Sequence, residues 1–445
     1  MSPTLTVGAE IAVSGASSEE IARLRSACAV PNPEYQNLVK LGKSVVGVPS
    51  TLYFCRETGP GEMLLPRGQV NFVRQTWPRT PFVDLRQAGT PLSCPLPDGL
   101  RYYQRDAVDL LVSQLQGSVI LPCGTGKTTL GVAAIAAIGR SALVLVHTSD
   151  LASQWQESCR GLLGIEPAMF GGATKDMGPL TIATMQSLVR YGGPLDQFGV
   201  VIADECHKVS CATLQSILAR CPAKWRLGLT ATPDRDDGLG PAIEMTLGPR
   251  LMHKATKEMI EEGWLVRPVV KRVSTAFNWD VGGRPNAQWL AKMNQAIVSD
   301  EARNALVAEL VDPSRTTLVL SGRKAHCAAL AGLIPGAKFI TGSTPKKERE
   351  AAIAMMRAGK LSCLVATSLA DEGLDITRLD CLILAFPERA KGRTAQRIGR
   401  IMRRDDTKQN PIIFDLVDNV GVLLSRWISR KSVYLKAGLS VEERK

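Results

Sequence analysis

Residues 121–129, Leu-Pro-Cys-Gly-Thr-Gly-Lys-Thr-Thr, put two glycines, a lysine and a pair of hydroxyls between an apolar run at 118–121 and a helix-like run at 128–135. A strand that breaks into such a loop at a helix start aims consecutive backbone N–H groups and the positive helix end at one point, which suits a polyphosphate. Cys123, Gly124, Thr125, Gly126, Lys127, Thr128 and Thr129 therefore form a candidate nucleotide cradle. Gly124 and Gly126 let the backbone approach the phosphates, Lys127 reaches the outer ones, and the Thr128 hydroxyl is placed to ligate Mg²⁺. Leu121 stands where the usual first glycine would be. A second acidic motif, Asp204-Glu205-Cys206-His207, follows the apolar run 200–203. At the carboxyl end of a parallel strand, Asp204 can hold Mg²⁺ through water while Glu205 orients and deprotonates an attacking water. The competing reading is an acidic surface turn.

These residues need a parallel sheet to hold them. From 99 to about 248, strand-like runs at 119–121, 142–146, 180–183, 200–203 and 226–229 alternate with helical ones, which predicts parallel strands joined by crossover helices. A second alternating set starts near 317, with strands at 318–320, 338–340, 363–366, 381–384 and 412–414 and a helical run at 324–333. It contains no second Gly-Lys-Thr, so its contribution differs from that of the first. Residues 1 to about 75 read as a small α/β module: Ser17 and Glu20 make a capping box, Asn32-Pro33 starts a helix, and 52–55 is a strand. Pro78, Pro81, Pro91, Pro95 and Pro97 then mark a linker or irregular connection. The expected divisions are an accessory domain at 1–95, a first lobe at 96–255, a second lobe at 256–435 that includes a connecting stretch at about 256–315, and a tail at 436–445.

The chain has 445 residues, 45% of them apolar, enough for packed cores and too apolar for whole-chain disorder. Its formal charge of +12 suits a polyanion partner. No apolar stretch reaches the ~18 residues of a membrane span, and no secretory signal is visible, so a cytoplasmic location is expected. The 11 cysteines contain no Cys-x-x-Cys pair, and Cys206, Cys211 and Cys221 with His207 match no common zinc spacing; buried free thiols are the better reading.

Taken in order from Leu100 to about Tyr434, the motifs resemble those of the superfamily 2 helicases, and within them the branch holding the XPB-type repair helicases and the UvsW-type phage helicases. Residues 100–104, Leu-Arg-Tyr-Tyr-Gln, look like the adenine-recognition segment, and the resemblance implies that the Gln104 amide pairs with the base of ATP. Residues 146–154 and 181–188 resemble strand-gripping motifs and nominate Thr148 and Thr184 as phosphate contacts, although either could instead cap a helix. Gly-Leu-Thr-Ala-Thr-Pro at 228–233 is similar to the coupling motif, in which Thr230 and Thr232 connect the Glu205–His207 corner to the second lobe. Further likenesses at 320–323, 340–344 and 366–375 nominate Arg323, Thr341 and Thr367 for nucleic acid and Asp375 for the ribose. Residues 396–403, Gln-Arg-Ile-Gly-Arg-Ile-Met-Arg, nominate Gln396, Arg400 and Arg403 as catalytic, the two arginines lying three apart and so on one helix face, aimed at the γ-phosphate. Cys206 stands where the commonest relatives carry alanine.

The resemblance implies an α/β fold of two tandem RecA-like parallel-sheet lobes with a small N-terminal α/β accessory domain, and an ATP- and Mg²⁺-dependent motor on nucleic acid. DNA is favoured over RNA, with 3′ to 5′ tracking and forked or branched DNA as a substrate, and no membrane partner is expected. A duplex translocase or RNA remodeller is the nearest alternative; a nucleotide-gated clamp without turnover would require degenerate catalytic residues, and Glu205, Gln396 and Arg400 are present. Arg56, Arg67 and Arg74 of the N-terminal module are candidate duplex contacts, with a buttressing role for that module as the other expectation.

Overall fold

The computed structural model describes residues 3–172, 174–208, 210–232, 238–279, 286–367, 376–388, 391–408 and 410–444. The chain divides into two compact units, one of Met1–Leu121 and Gly126–His253, the other of Pro122–Thr125 and Lys254–Lys445.

In the first unit the strands run Thr174–Lys175, Ala168–Gly171, Leu180–Thr184, Ala142–Val146, Val200–Asp204, Trp225–Thr230, Gln116–Ile120 and Arg250–His253 across one sheet. All its pairings are parallel except the hairpin of the first two. Ala142–Val146 and Val200–Asp204 are buried at every position, because helices cover both faces of a parallel sheet and the strands must be apolar throughout. The second unit repeats the plan: Lys338–Ile340, Cys363–Thr367, Thr317–Ser321, Cys381–Leu384, Ile412–Val417, Val269–Ser274 and Val441–Glu443 form a second parallel sheet. The central strands of both sheets lie where hydropathy put them. Arg250–His253, Val269–Ser274 and Val441–Glu443 were not anticipated; they flank the central strands, are short or interrupted by charge, and lack an apolar run.

The N-terminal residues build a five-stranded sheet in the order Arg56–Gly59, Glu62–Pro66, Glu10–Ser14, Thr4–Val7, Phe82–Asp84. The Ser17–Glu20 capping box is formed, and Asn32 caps the helix Pro33–Lys40. The proline-rich connection lies against the first lobe and is pinned to it. Gln87 exchanges backbone hydrogen bonds with Pro222 and Lys224, and Thr90 and Ser141 are bonded at 2.8 Å, just before the strands Trp225–Thr230 and Ala142–Val146 begin.

Arg67 corrects the surface role expected of it. It is 1% exposed, its Nε donates to Gln116 Oε1 at 2.7 Å, and Nη1 donates to the Ala223 carbonyl at 2.5 Å. Arg226, equally buried, donates to the carbonyls of Ala9, Leu218 and Cys221 at 2.7–2.9 Å. Burial, and secondarily the Arg226 charge, holds the Arg67 guanidinium well below its usual range, and burial brings Arg226 down to about 10. Arg56 and Arg74 are exposed. The N-terminal module is thus bonded to the amino ends of the strands Gln116–Ile120 and Trp225–Thr230.

Replacing Arg67 by alanine leaves Gln116 Oε1 and the Ala223 carbonyl without their donor and opens a cavity. The expected loss is about 3 kcal/mol of unfolding free energy, since each orphaned buried acceptor costs ~1–3 kcal/mol, offset in part by relief of the buried charge. Urea unfolding checks this, and an unchanged midpoint would mean that the module is a detachable appendage. Excision of residues 1–95, which removes Arg67, the partner of Gln116, and Ala9, a partner of Arg226, is expected to destabilise the first lobe in the same assay.

Candidate functional site

The carboxyl ends of the first sheet carry the phosphate loop, the acidic motif and the coupling motif. Thr230 is in register with Ile120 and Asp204 with Leu229, so the phosphate loop, the coupling motif and the acidic motif leave the sheet side by side. Gly124 and Gly126 take φ of 85° and 83°, the left-handed region that glycine alone occupies without strain, and the helix Lys127–Ile138 follows. Lys127 Nζ donates to the Leu121 carbonyl at 3.2 Å and stands 3.8 Å from Glu205 Oε1. Thr125 is buried and its hydroxyl donates to the Pro122 carbonyl at 2.7 Å, so it shapes the turn. Thr128 and Thr129 begin the helix and are half-buried, as is Cys123.

Gln104 sits at the start of the helix Tyr102–Gln114, 3% exposed. Its Oε1 accepts the Arg101 N–H at 2.9 Å, and its Nε2 donates to the Gly126 carbonyl at 3.0 Å. Each end of the amide thus makes one bond, and in this structure Gln104 ties its helix to the phosphate loop.

Asp204 and Glu205 are held differently. Asp204 ends its strand, with Oδ2 accepting the Trp155 indole N–H at 2.7 Å and Oδ1 the Glu205 N–H at 2.9 Å. Burial, then the neighbouring Glu205 charge, raises its carboxyl to about 6. Glu205 has the left-handed φ of 47°, which turns its side chain away from the strand direction. Burial opposes its charge, but Lys127, His207, Lys208 and His147 together keep it below the usual carboxylate range. His207 Nδ1 lies 3.3 Å from Glu205 Oε2 and 2.7 Å from Thr230 Oγ1, and that hydroxyl also lies 3.1 Å from the Thr232 carbonyl. Glu205, His207 and Thr230 therefore form one continuous corner, as the coupling motif requires. Cys206 is fully buried in the apolar core, and burial raises its thiol. All eleven cysteines are free, and no group of side chains able to hold a metal by itself occurs among the described residues.

A magnesium–nucleotide fits this donor set. The lysine amine faces a carboxylate, Glu205 Oε2 is buried and makes no hydrogen bond among the described residues, and the glycine turn leaves the backbone bare.

Of the residues nominated for nucleic acid, Thr148 caps the helix Ser149–Leu163, accepting from Leu151 N at 3.3 Å, and Thr184 donates to Ser187 Oγ at 2.8 Å. The cap reading holds for Thr148. In the second unit, Arg323 is exposed just past the strand Thr317–Ser321, and its N–H donates to Ser321 Oγ at 3.2 Å. Thr341 lies in a hydroxyl cluster with Ser343 and Thr344, and exposed Lys324 donates to Ser343 Oγ at 3.0 Å. Lys324 adjoins the motif at 320–323 and Ser343 lies within that at 340–344, and neither was nominated. Ser321 and Thr367 are partners in register at the ends of adjacent strands, and the Thr367 hydroxyl is buried without a hydrogen bond among the described residues. Also unforeseen is a relay behind that edge: Ser321 Oγ lies 2.9 Å from His326 Nδ1, and His326 Nε2 lies 2.8 Å from Asn304 Oδ1. Burial, then the Arg303 charge, lowers His326 to about 3, so it is neutral, its Nε2–H donating to Asn304 and its Nδ1 accepting from Ser321.

Gln396 and Arg400 lie half-buried on the helix Lys391–Ile401. Arg403 does not share that helix: the chain turns at Met402, and Arg403 bridges to Leu265 as an isolated antiparallel pair. The three-residue spacing therefore places no common helix face under the two arginines. Asp375 lies outside the described residues.

Two family descriptions match the chain: "Type III restriction enzyme, res subunit" over residues 98–235 and "Helicase conserved C-terminal domain" over residues 301–405. The putative DNA 3'-5' helicase Rad25 of Halobacterium salinarum is 30% identical over 330 residues, 71% of this chain and 54% of that protein. The DNA 3'-5' translocase XPB2 of Sulfurisphaera tokodaii is 25% identical over 351 residues, 69% of this chain and 79% of that one. The chain belongs to the XPB-like superfamily 2 helicases. It spans about half the length of the first of these relatives. Among solved structures, a fragment of a putative HsdR subunit of a type I restriction enzyme from Vibrio vulnificus aligns with this XPB-like chain at a TM-score of 0.59 and 18% identity, over 79% of this chain and 69% of that one. That likeness concerns the fold, tandem RecA-like domains. No helix among the described residues of this XPB-like chain is long and apolar enough to cross a membrane.

Proposed function

We propose that this XPB-like chain is a nucleic-acid-dependent ATPase that works as a DNA helicase or translocase, tracking 3′ to 5′, with forked or branched DNA among its substrates. The observation that carries the reading is the corner in which Glu205 lies between Lys127 and His207, with His207 on Thr230. Glu205 takes the proton of the attacking water, and Lys127 and Arg400 meet the charge on the γ-phosphate. The backbone of 123–126 cradles the phosphates, with Thr129 beside it, while Gln396 assists at the phosphate and Asp375 holds the ribose. Thr128 and Asp204 would hold Mg²⁺, which neutralises phosphate charge. Through Thr230 the state of His207 and Glu205 reaches the strand end, which is how hydrolysis couples to movement. Arg323, Thr341 and Thr367 of the second lobe, with Thr184 of the first, contact the phosphates of one strand, an arrangement indifferent to base sequence. A net charge of +12 suits a polyanion, and relatives named as DNA 3'-5' helicases and translocases support DNA over RNA. The division into 1–95, 96–255, 256–435 and 436–445, and a cytoplasmic setting consistent with free thiols, belong to the same reading.

The test is ATP turnover against single-stranded, duplex, forked and Holliday-type DNA and matched RNA, with strand displacement measured alongside. Stimulation by DNA with displacement of a forked strand is expected. Equal stimulation by RNA would make the chain an RNA remodeller, and turnover without displacement a duplex translocase.

Thr367 allows a separate check. Its hydroxyl makes no hydrogen bond among the described residues, so Thr367→Val is expected to leave the melting temperature unchanged or higher. The same change should weaken DNA binding by roughly 1 kcal/mol, about equally for all sequences. A lower melting temperature with undiminished binding would make the hydroxyl structural.

A further inference from the structure

Asp204 is held by a residue that no motif singled out. Trp155, fully buried on the helix Ser149–Leu163, donates its indole N–H to Asp204 Oδ2 at 2.7 Å. A buried indole N–H needs an acceptor, and a backbone carbonyl or a water usually serves. Here it takes one oxygen of the carboxylate that ends the neighbouring strand, while the Glu205 N–H takes the other at 2.9 Å. With each oxygen bonded to a different donor, the carboxylate plane cannot rotate freely, and its remaining lone pairs have one orientation.

The contact is built from two helices. On the helix Lys127–Ile138, which follows the phosphate loop, position 131 is glycine, and a Cβ there would lie 2.4 Å from Trp155 Cη2. Only a bare Cα lets the six-membered ring lie against that helix while its N–H reaches Asp204. The helix that begins at Lys127 and the indole that holds Asp204 are therefore in register with each other through Gly131.

We propose that Trp155 is a positioning residue for the magnesium side of the nucleotide site, orienting Asp204 toward the metal that accompanies ATP. This rests on the assignment of Asp204 as the magnesium-side carboxylate. Partners that orient metal-facing carboxylates typically matter by one to two orders of magnitude in metal affinity. An indole that merely fills the core would contribute to stability and leave the effect of magnesium untouched.

The experiment is the affinity of the full chain for a non-hydrolysable ATP analogue, measured in excess magnesium and again in EDTA, the ratio of the two giving the magnesium-dependent tightening. Trp155→Phe keeps an aromatic ring and removes the donor; it is expected to cut that ratio on the order of 10-fold while leaving the affinity in EDTA unchanged. Gly131→Ala, which displaces the indole without altering its chemistry, is expected to cut the ratio in the same sense and answers the question if the phenylalanine variant does not fold. Asp204→Asn is measured in parallel. If Asp204→Asn reduces the tightening and a folded Trp155→Phe or Gly131→Ala variant does not, the positioning role is overturned. Full tightening in Asp204→Asn itself would overturn the assignment of Asp204 beneath it.

Discussion

Glu205→Gln is expected to bind ATP and DNA as the parent chain does and to hydrolyse ATP about 10²–10⁴-fold more slowly, the range that loss of a general base covers. The amide keeps the shape of the side chain and cannot accept the proton of the attacking water. The geometry supports the proposal of this residue over Asp204 as the base. Asp204 has both oxygens engaged, by Trp155 and by the Glu205 N–H, whereas Glu205 Oε2 is buried without a hydrogen bond among the described residues. Its charge is held by Lys127 at 3.8 Å, so it stays ionised and able to accept a proton. The left-handed backbone at Glu205 is the cost of that placement, since a φ of 47° outside glycine is strained. Steady-state turnover together with equilibrium binding of a nucleotide analogue checks the prediction. Hydrolysis near the parent rate would remove Glu205 from the chemistry, and loss of nucleotide binding would make it a binding residue.

Arg400→Ala is expected to lower turnover by a factor on the order of 10³ with little change in ATP affinity, if the guanidinium meets charge that develops only as the γ-phosphate leaves. Arg400→Lys should recover only part of that, because an ammonium lacks the planar fork that engages two phosphate oxygens at once. Arg403 is no longer expected to behave as its twin. Arg400 is carried on the helix Lys391–Ile401, while Arg403 lies beyond its end, bridged to Leu265, so the two are positioned by different backbone elements. Single-turnover hydrolysis beside analogue binding separates the cases: weakened binding with unchanged turnover would make Arg400 a ground-state phosphate contact.

Legible in the chain alone is whatever depends on neighbours a few residues away. The loop at 121–129, the capping box of Ser17 and Glu20, the helix Lys324–Leu333 and the buried central strands follow from periodicity, caps and glycine placement, all of which act within a few residues. The acidic pair after 200–203 was legible for the same reason, because the end of a parallel strand is a local event. Tertiary structure alone decided the rest. Arg67 read as a surface charge and Arg226 only as the first residue of a strand-like run, yet both are buried against carbonyls distant in sequence, for which no spacing rule exists. Gln104 read as a base-recognising amide, and only the fold shows that it spans Arg101 and Gly126. Extending a helical period past Ile401 put Arg403 on the wrong element, since a helix end set by packing leaves no mark in the period. No local pattern singled out Trp155. Its role depends on a glycine twenty-four positions earlier and an aspartate forty-nine positions later, which meet only when two helices and a strand pack together, because long-range contacts are specified by the shape of the whole core and not by any local pattern.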